Sequence, residues 1–175
     1  MAGVHPRIPA RVQWALEVLP LRATDRVLEI GCGNGVALSL ICAELTSGRI
    51  TGVDRSATAI ASAEKRNAAY VRAGRLSLVH AALSDAPIEG PFDLALAINV
   101  NAFWIDPERE LAAVRQVLAP SGRLLLFYEP PTAQLKRIVD ACTRFLNDGG
   151  FRVVDIAYAD PASHSGVCIQ AALSP

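Results

Sequence analysis

Val27-Leu28-Glu29-Ile30-Gly31-Cys32-Gly33-Asn34-Gly35-Val36 joins a short apolar run to alternating glycines and then to a second apolar run. The first run, from Arg26 to Ile30, is too short for a stable helix and reads as a strand. The second, from Val36 to Leu45, is apolar on most faces and reads as a buried helix stopped by Gly48. Glycine at such a joint lets the backbone take positive φ and lets another group approach it closely. The following helix N-terminus presents free N–H donors. Ile50-Thr51-Gly52-Val53 then forms a second strand, which ends at Asp54.

The same alternation continues down the chain. Ser56 can cap a helix running through Ala59, Ala63 and Val71 to Gly74. Leu76 to Val79 and Phe92 to Ile98 are a third and a fourth strand. Asp106-Pro107 is expected to open a helix with the stripe Leu111, Val114 and Leu118, ended by Pro120-Ser121-Gly122. Leu124 to Tyr128 is a fifth strand, and Leu135, Ile138, Val139, Cys142, Phe145 and Leu146 mark a helix closed by Gly149-Gly150. Phe151 to Ile156 and Val167 to Ala171 are two last strands. The join between them is too short for a crossover, so they pair antiparallel. Strands separated by helices imply an α/β, doubly wound, mostly parallel seven-stranded sheet with an antiparallel C-terminal hairpin strand. Residues 7–19, with Val12, Leu16 and Leu19 in register, read as a leading helix.

The chain has 175 residues, of which 51% are hydrophobic and 19% charged, which excludes a disordered protein. That length suits a single domain, 1–175, with a leading helix segment (1–22), a ligand-binding half (23–130) and a C-terminal helix and hairpin (131–175). Lys+Arg 17 against Asp+Glu 17 leaves no basic surplus, which argues against nucleic-acid binding. No apolar run is long enough to span a membrane, and the N-terminus has no signal core. Cys32, Cys42, Cys142 and Cys168 form no Cys-x-x-Cys pair, and His5, His80 and His164 stand at no metal-ligand spacing from them. The expectation is a cytoplasmic chain, monomer or homodimer, with free thiols and no metal.

A carboxylate at Asp54, about twenty residues past the glycines, can accept both hydroxyls of a ribose. The dinucleotide pattern G-x-G-x-x-G fits Gly31 and Gly33, but its third glycine falls on Val36. Glu29 would repel a pyrophosphate and would suit an ammonium group. S-adenosylmethionine carries an ammonium, a carboxylate and a ribose and no phosphate, so charge favours it.

Glu29-Ile30-Gly31-Cys32-Gly33-Asn34-Gly35 resembles the first motif of class I S-adenosylmethionine-dependent methyltransferases. Gly52-Val53-Asp54 resembles their second motif, Pro91 to Ala95 their fourth-strand entry, and Leu118 to Leu124 the turn before strand five. The resemblance covers residues 25 to about 173 and implies the Rossmann-like methyltransferase fold. It also implies roles. Gly31, Cys32, Gly33 and Gly35 line the methionine part, and Glu29 supports the loop and the ammonium. Asp54 holds the ribose and Arg55 lies near the adenine. Ile98 and Asn99 lie beside the transferable methyl. Where the family often has an aspartate for the adenine amino group, this chain has Ala82. Backbone near Leu83, or Asp85, is the expected substitute.

Methyl transfer is an in-line displacement and needs a base only if the acceptor must lose a proton. No catalytic base is assigned from the sequence. The loops expected to face a small-molecule acceptor contribute Asn101, Phe103, Trp104 and Glu129, with His5 and His164 considered as bases. Asn99-Val100-Asn101 lacks the prolines of the base-methylating members, which argues against nucleobase or protein-glutamine acceptors. A non-catalytic S-adenosylmethionine-binding subunit or degenerate enzyme is the alternative. A nicotinamide oxidoreductase is a third reading, which Glu29 and Val36 disfavour.

Overall fold

The apolar runs of the central strands are buried on both faces of one sheet, and helices provide both covers. The computed structural model describes residues 8–160 and 165–175. The strands are β1 (Arg26–Ile30), β2 (Arg49–Asp54), β3 (Leu76–His80), β4 (Phe92–Ile98), β5 (Leu118–Tyr128), β6 (Phe151–Tyr158) and β7 (Val167–Leu173). Their order is β3-β2-β1-β4-β5-β7-β6. The first five run parallel, and β7 lies antiparallel between β5 and β6. The helices are α1 (Ala10–Val18), α2 (Val36–Glu44), α3 (Ala57–Arg66), α4 (Ala68–Arg72), α5 (Ala102–Ile105), α6 (Glu108–Val117) and α7 (Thr132–Asp148).

Two apolar clusters divide the helices between the faces. Ala15, Leu19, Leu38, Ile41 and Ala63 pack α1, α2 and α3 on one cluster. Phe103, Leu111, Ile138 and Leu146 pack α5, α6 and α7 on the other. The order reverses between β1 and β4, so the crossovers diverge there and leave a crevice at the carboxyl ends of the strands.

Several local expectations need correction. The helix expected from Ser56 to Gly74 is two helices. Asn67, 1% exposed, breaks it by turning its amide inward. Ser56 does cap α3, accepting the N–H of Ala59 at 3.2 Å. Asp106 is not an N-cap. It ends α5, donating its N–H to the Ala102 carbonyl, and Pro107 precedes α6. Leu118 belongs to β5. The turn from Ala119 to Gly122 is extra chain inside the strand, because Phe92 pairs with Leu118 but Leu94 with Arg123. The leading helix is α1, and residue 7 lies outside the described residues.

Two arginines of the helical stretch before β3 are tied to backbone. Arg75 donates to the carbonyls of Cys42 and Leu45 at the end of α2 and lies over the Tyr70 ring. Arg66 Nε donates to the Asn34 carbonyl at 3.0 Å, bracing the glycine loop. No helix among the described residues is long and apolar enough to cross a membrane. All four cysteines are free and buried.

Candidate functional site

The loop after β1 forms because three of its residues are in the left-handed region, with φ of 69° at Gly31, 53° at Gly33 and 75° at Gly35. Space reinforces the choice of glycine at two of them. A Cβ on Gly31 would stand 2.6 Å from Val100 Cγ2, and one on Gly35 would stand 2.6 Å from Asn67 Nδ2. At Gly33 a Cβ would meet nothing within 4 Å, so the backbone there is open to an approaching group.

The amides of the loop are engaged internally. Gly31 and Cys32 both donate to the Val53 carbonyl, at 2.8 and 3.1 Å. Gly35 donates to the Cys32 carbonyl at 3.0 Å, and Gly33 to Asp54 Oδ2 at 2.8 Å. These are donors a pyrophosphate would need. A diphosphate would also face the Asp54 carboxylate. The dinucleotide reading does not fit this loop.

Glu29, in β1, is 3% exposed, and its Oε2 has no hydrogen-bond partner among the described residues. Burial, helped by the nearby charge of Asp54, raises its pKa from 4.5 to about 8. A buried carboxylate with an unused oxygen beneath an open glycine backbone suits a cationic hydrogen-bond donor. Asp54, at the end of β2, also accepts the Ser56 N–H on Oδ1 at 2.9 Å.

A cavity of about 680 Å³ opens beside this loop at the carboxyl ends of β1 to β4. It brings together Gly31, Asp54, Arg55, Ala82 and Leu83 with Ile98 and Asn99. Asn101 lines it too. Its charged lining is Asp54, Asp106 and Glu110 against Arg55, an acidic balance that matches a ligand bearing an ammonium and a sulfonium. The residues present fit S-adenosylmethionine: a carboxylate at the end of β2, a buried carboxylate in β1 and an open glycine backbone.

Other expected residues lie elsewhere. Cys32 turns its thiol into the core near Gly52. Burial, then the charges of Glu29 and Asp54, push its pKa up to about 12, so only its backbone belongs to the loop. Phe103 does not wall an acceptor: it is 1% exposed, packed in the core under α6 and α7. Trp104 lines a separate groove with Arg137, whose guanidinium sits 5.7 Å from the ring centroid. Its indole N–H donates to Asn101 Oδ1 at 3.2 Å. Glu129 pairs with Arg11 of α1 at 3.7 Å, linking α1 to the end of β5. His5 and His164 lie outside the described residues.

Sequence reading missed the supports of the site. Asn67 Nδ2 donates to the Gly35 and Ala63 carbonyls, each at 3.0 Å, and its Oδ1 accepts the Ser39 hydroxyl. No local signal marks it, because it follows the charged run Glu64, Lys65 and Arg66 and reads as part of a solvated face. Asn99 is the only non-glycine with positive φ among the described residues, at 56°. Its own N–H reaches the Phe127 carbonyl at 2.8 Å, and its Oδ1 accepts the Glu129 N–H at 2.9 Å. This asparagine fastens the end of β4 to the end of β5 and keeps its left-handed turn in place.

A family model described as a methyltransferase domain matches residues 28–124. An uncharacterized protein of Synechococcus is 33% identical over 125 residues, covering 70% of this chain and 30% of the relative. Trans-aconitate 2-methyltransferase of Paracidovorax citrulli is 33% identical over 111 residues, 62% of this chain and 40% of the relative. A solved S-adenosylmethionine-dependent methyltransferase from Aquifex aeolicus superposes with a TM-score of 0.76 at 15% identity, over 91% of this chain and 88% of that one. That likeness establishes the shared fold. The chain spans between 30% and 54% of the first curated relatives it matches. With the family match covering more than half its length, and running from β1 into β5, this chain belongs to the class I S-adenosylmethionine-dependent methyltransferases.

Proposed function

We propose that this chain transfers a methyl group from S-adenosylmethionine to a small-molecule acceptor by in-line displacement. The observation that carries the reading is the unpartnered Glu29 Oε2 beneath the glycine loop, with Asp54 at the neighbouring strand end. When bound, the cofactor supplies a methyl carbon already activated by the sulfonium. The protein's part is placement and exclusion of water. Glu29 and the backbone carbonyls of Gly31 and Gly33 receive the ammonium of the amino-acid tail. Asp54 accepts from the ribose hydroxyls, and Arg55, Ala82 and Leu83 border the adenine. Ile98 and Asn99 set the height of the reacting carbon.

The acceptor enters over Asn99, past Asn101 and the Arg11–Glu129 pair. The relative named for trans-aconitate supports a small organic acid as one acceptor class. Four free, buried thiols support a reducing compartment.

The test uses isotope-labelled S-adenosylmethionine with a pooled metabolite extract. Formation of S-adenosylhomocysteine together with a labelled product is the expected result. Tight binding of S-adenosylhomocysteine with no turnover would leave a binding subunit instead. No binding of either cofactor form would overturn the reading.

A further inference from the structure

The adenine end of the cavity lacks the usual acceptor. Ala82 has no polar side chain, and Asp85 is drawn away: its Oδ1 accepts Arg109 Nη2 at 2.8 Å, on exposed surface outside the cavity lining. The cavity that holds Ala82 and Leu83 is lined also by Ile105, Asp106 and Glu110, from the end of α5 and the first turn of α6. Ile105 is 60% exposed, which leaves a large apolar side chain on the cavity rim. The carboxylates of Asp106 and Glu110 make no ion pair or hydrogen bond among the described residues.

Resting on the cofactor reading above, we propose that Asp106 and Glu110 together replace the missing aspartate as acceptors for the adenine amino group, with Ile105 covering the ring. The chemistry fits. An exocyclic amine offers two N–H donors, and an ionised carboxylate only accepts. A flat apolar ring covers an exposed isoleucine, which removes apolar surface from water. Arg109 reinforces the arrangement by holding Asp85 aside and fastening α6 to the turn at Leu83–Asp85. The adenine would then be read from the segment after β4 and not from the turn after β3.

The prediction concerns discrimination. In S-inosylhomocysteine a carbonyl oxygen replaces the amine, so both exocyclic donors become an acceptor facing the two carboxylates and only the ring N1–H is left to donate. Isothermal titration of the whole chain should show S-inosylhomocysteine binding at least about tenfold more weakly than S-adenosylhomocysteine. The Asp106→Ala/Glu110→Ala variant should weaken S-adenosylhomocysteine about tenfold and bring the two ligands within about threefold of each other. The single variants repeat the test should the double variant fail to give a wild-type melting profile. A merely structural role would weaken both ligands equally and preserve their ratio. Equal binding of both ligands by the wild type, or a ratio unchanged in the variants, would overturn this proposal alone. Failure of the wild type to bind S-adenosylhomocysteine would overturn the cofactor reading and this one with it.

Discussion

Asp54 Oδ2 accepts the backbone N–H of Gly33 at 2.8 Å, so the carboxylate at the end of β2 holds the loop after β1. Its other oxygen accepts the N–H of Ser56 at the entry of α3. The proposed function asks the same group both to fix the loop and to receive a ribose. Asp54→Ala should weaken S-adenosylhomocysteine by about 2–4 kcal/mol, since charge-assisted bonds are lost. Titration calorimetry measures it, and an unchanged dissociation constant would remove Asp54 from the site.

Glu29 gives stability a pH slope of predictable sign. Its pKa rises from 4.5 to about 8 on folding, chiefly through burial. Between those values the folded chain binds the proton more tightly than the unfolded chain. Stability therefore falls as pH rises across that window and levels off above it. Urea melts of wild type and Glu29→Gln at about pH 5 and about pH 9 separate this group from the rest. The variant should lose less stability between the two. Identical slopes would place the effect elsewhere.

The buried amide of Asn67 should be costly to remove. Asn67→Ala removes the amide's two donations, to the Gly35 and Ala63 carbonyls, and the acceptor it offers the Ser39 hydroxyl, which is left with the Gly35 carbonyl alone. A loss of about 2–3 kcal/mol is expected. Denaturant midpoints at constant m-value would show it. A change under about 0.5 kcal/mol would mean that water replaces the amide without penalty.

Two glycines of one loop should respond differently to alanine. Gly33→Ala costs only the left-handed backbone, about 1–2 kcal/mol. Gly31→Ala carries the same strain and also drives a methyl group against Val100. Thermal melts should rank Gly31→Ala clearly below Gly33→Ala. The reverse order would show that Val100 moves aside freely.

The frame was legible because its signals are local. A short apolar strand, glycines that alone tolerate positive φ, and an acid at the next strand end leave few arrangements open. The terminal hairpin followed from the length of a join. What escaped was decided by packing across distance. Nothing near Phe103 in sequence tells whether its ring is buried or solvated, and it is buried in the cluster that α7 covers. Asn67 looks like a solvated helix position until Gly35 stands beside it. Leu118 keeps a helical period with Leu111 and Val114, yet strand pairing with Phe92 claims it. Trp104 and Asn101 are adjacent on a short turn, and only the turn's direction sends one to a surface groove and the other to the cavity.

The stretch from Ile98 to Glu110 touches the cavity at both ends, beside the end of β4 and again at the start of α6. If Asp106 and Glu110 hold the adenine as proposed, transplanting a foreign segment there to alter substrate choice would exchange the nucleoside grip in the same cut. Re-engineering should spare Ile105 to Glu110 and vary α1 and the turn after β5, where new preferences can be selected without forfeiting the methyl donor.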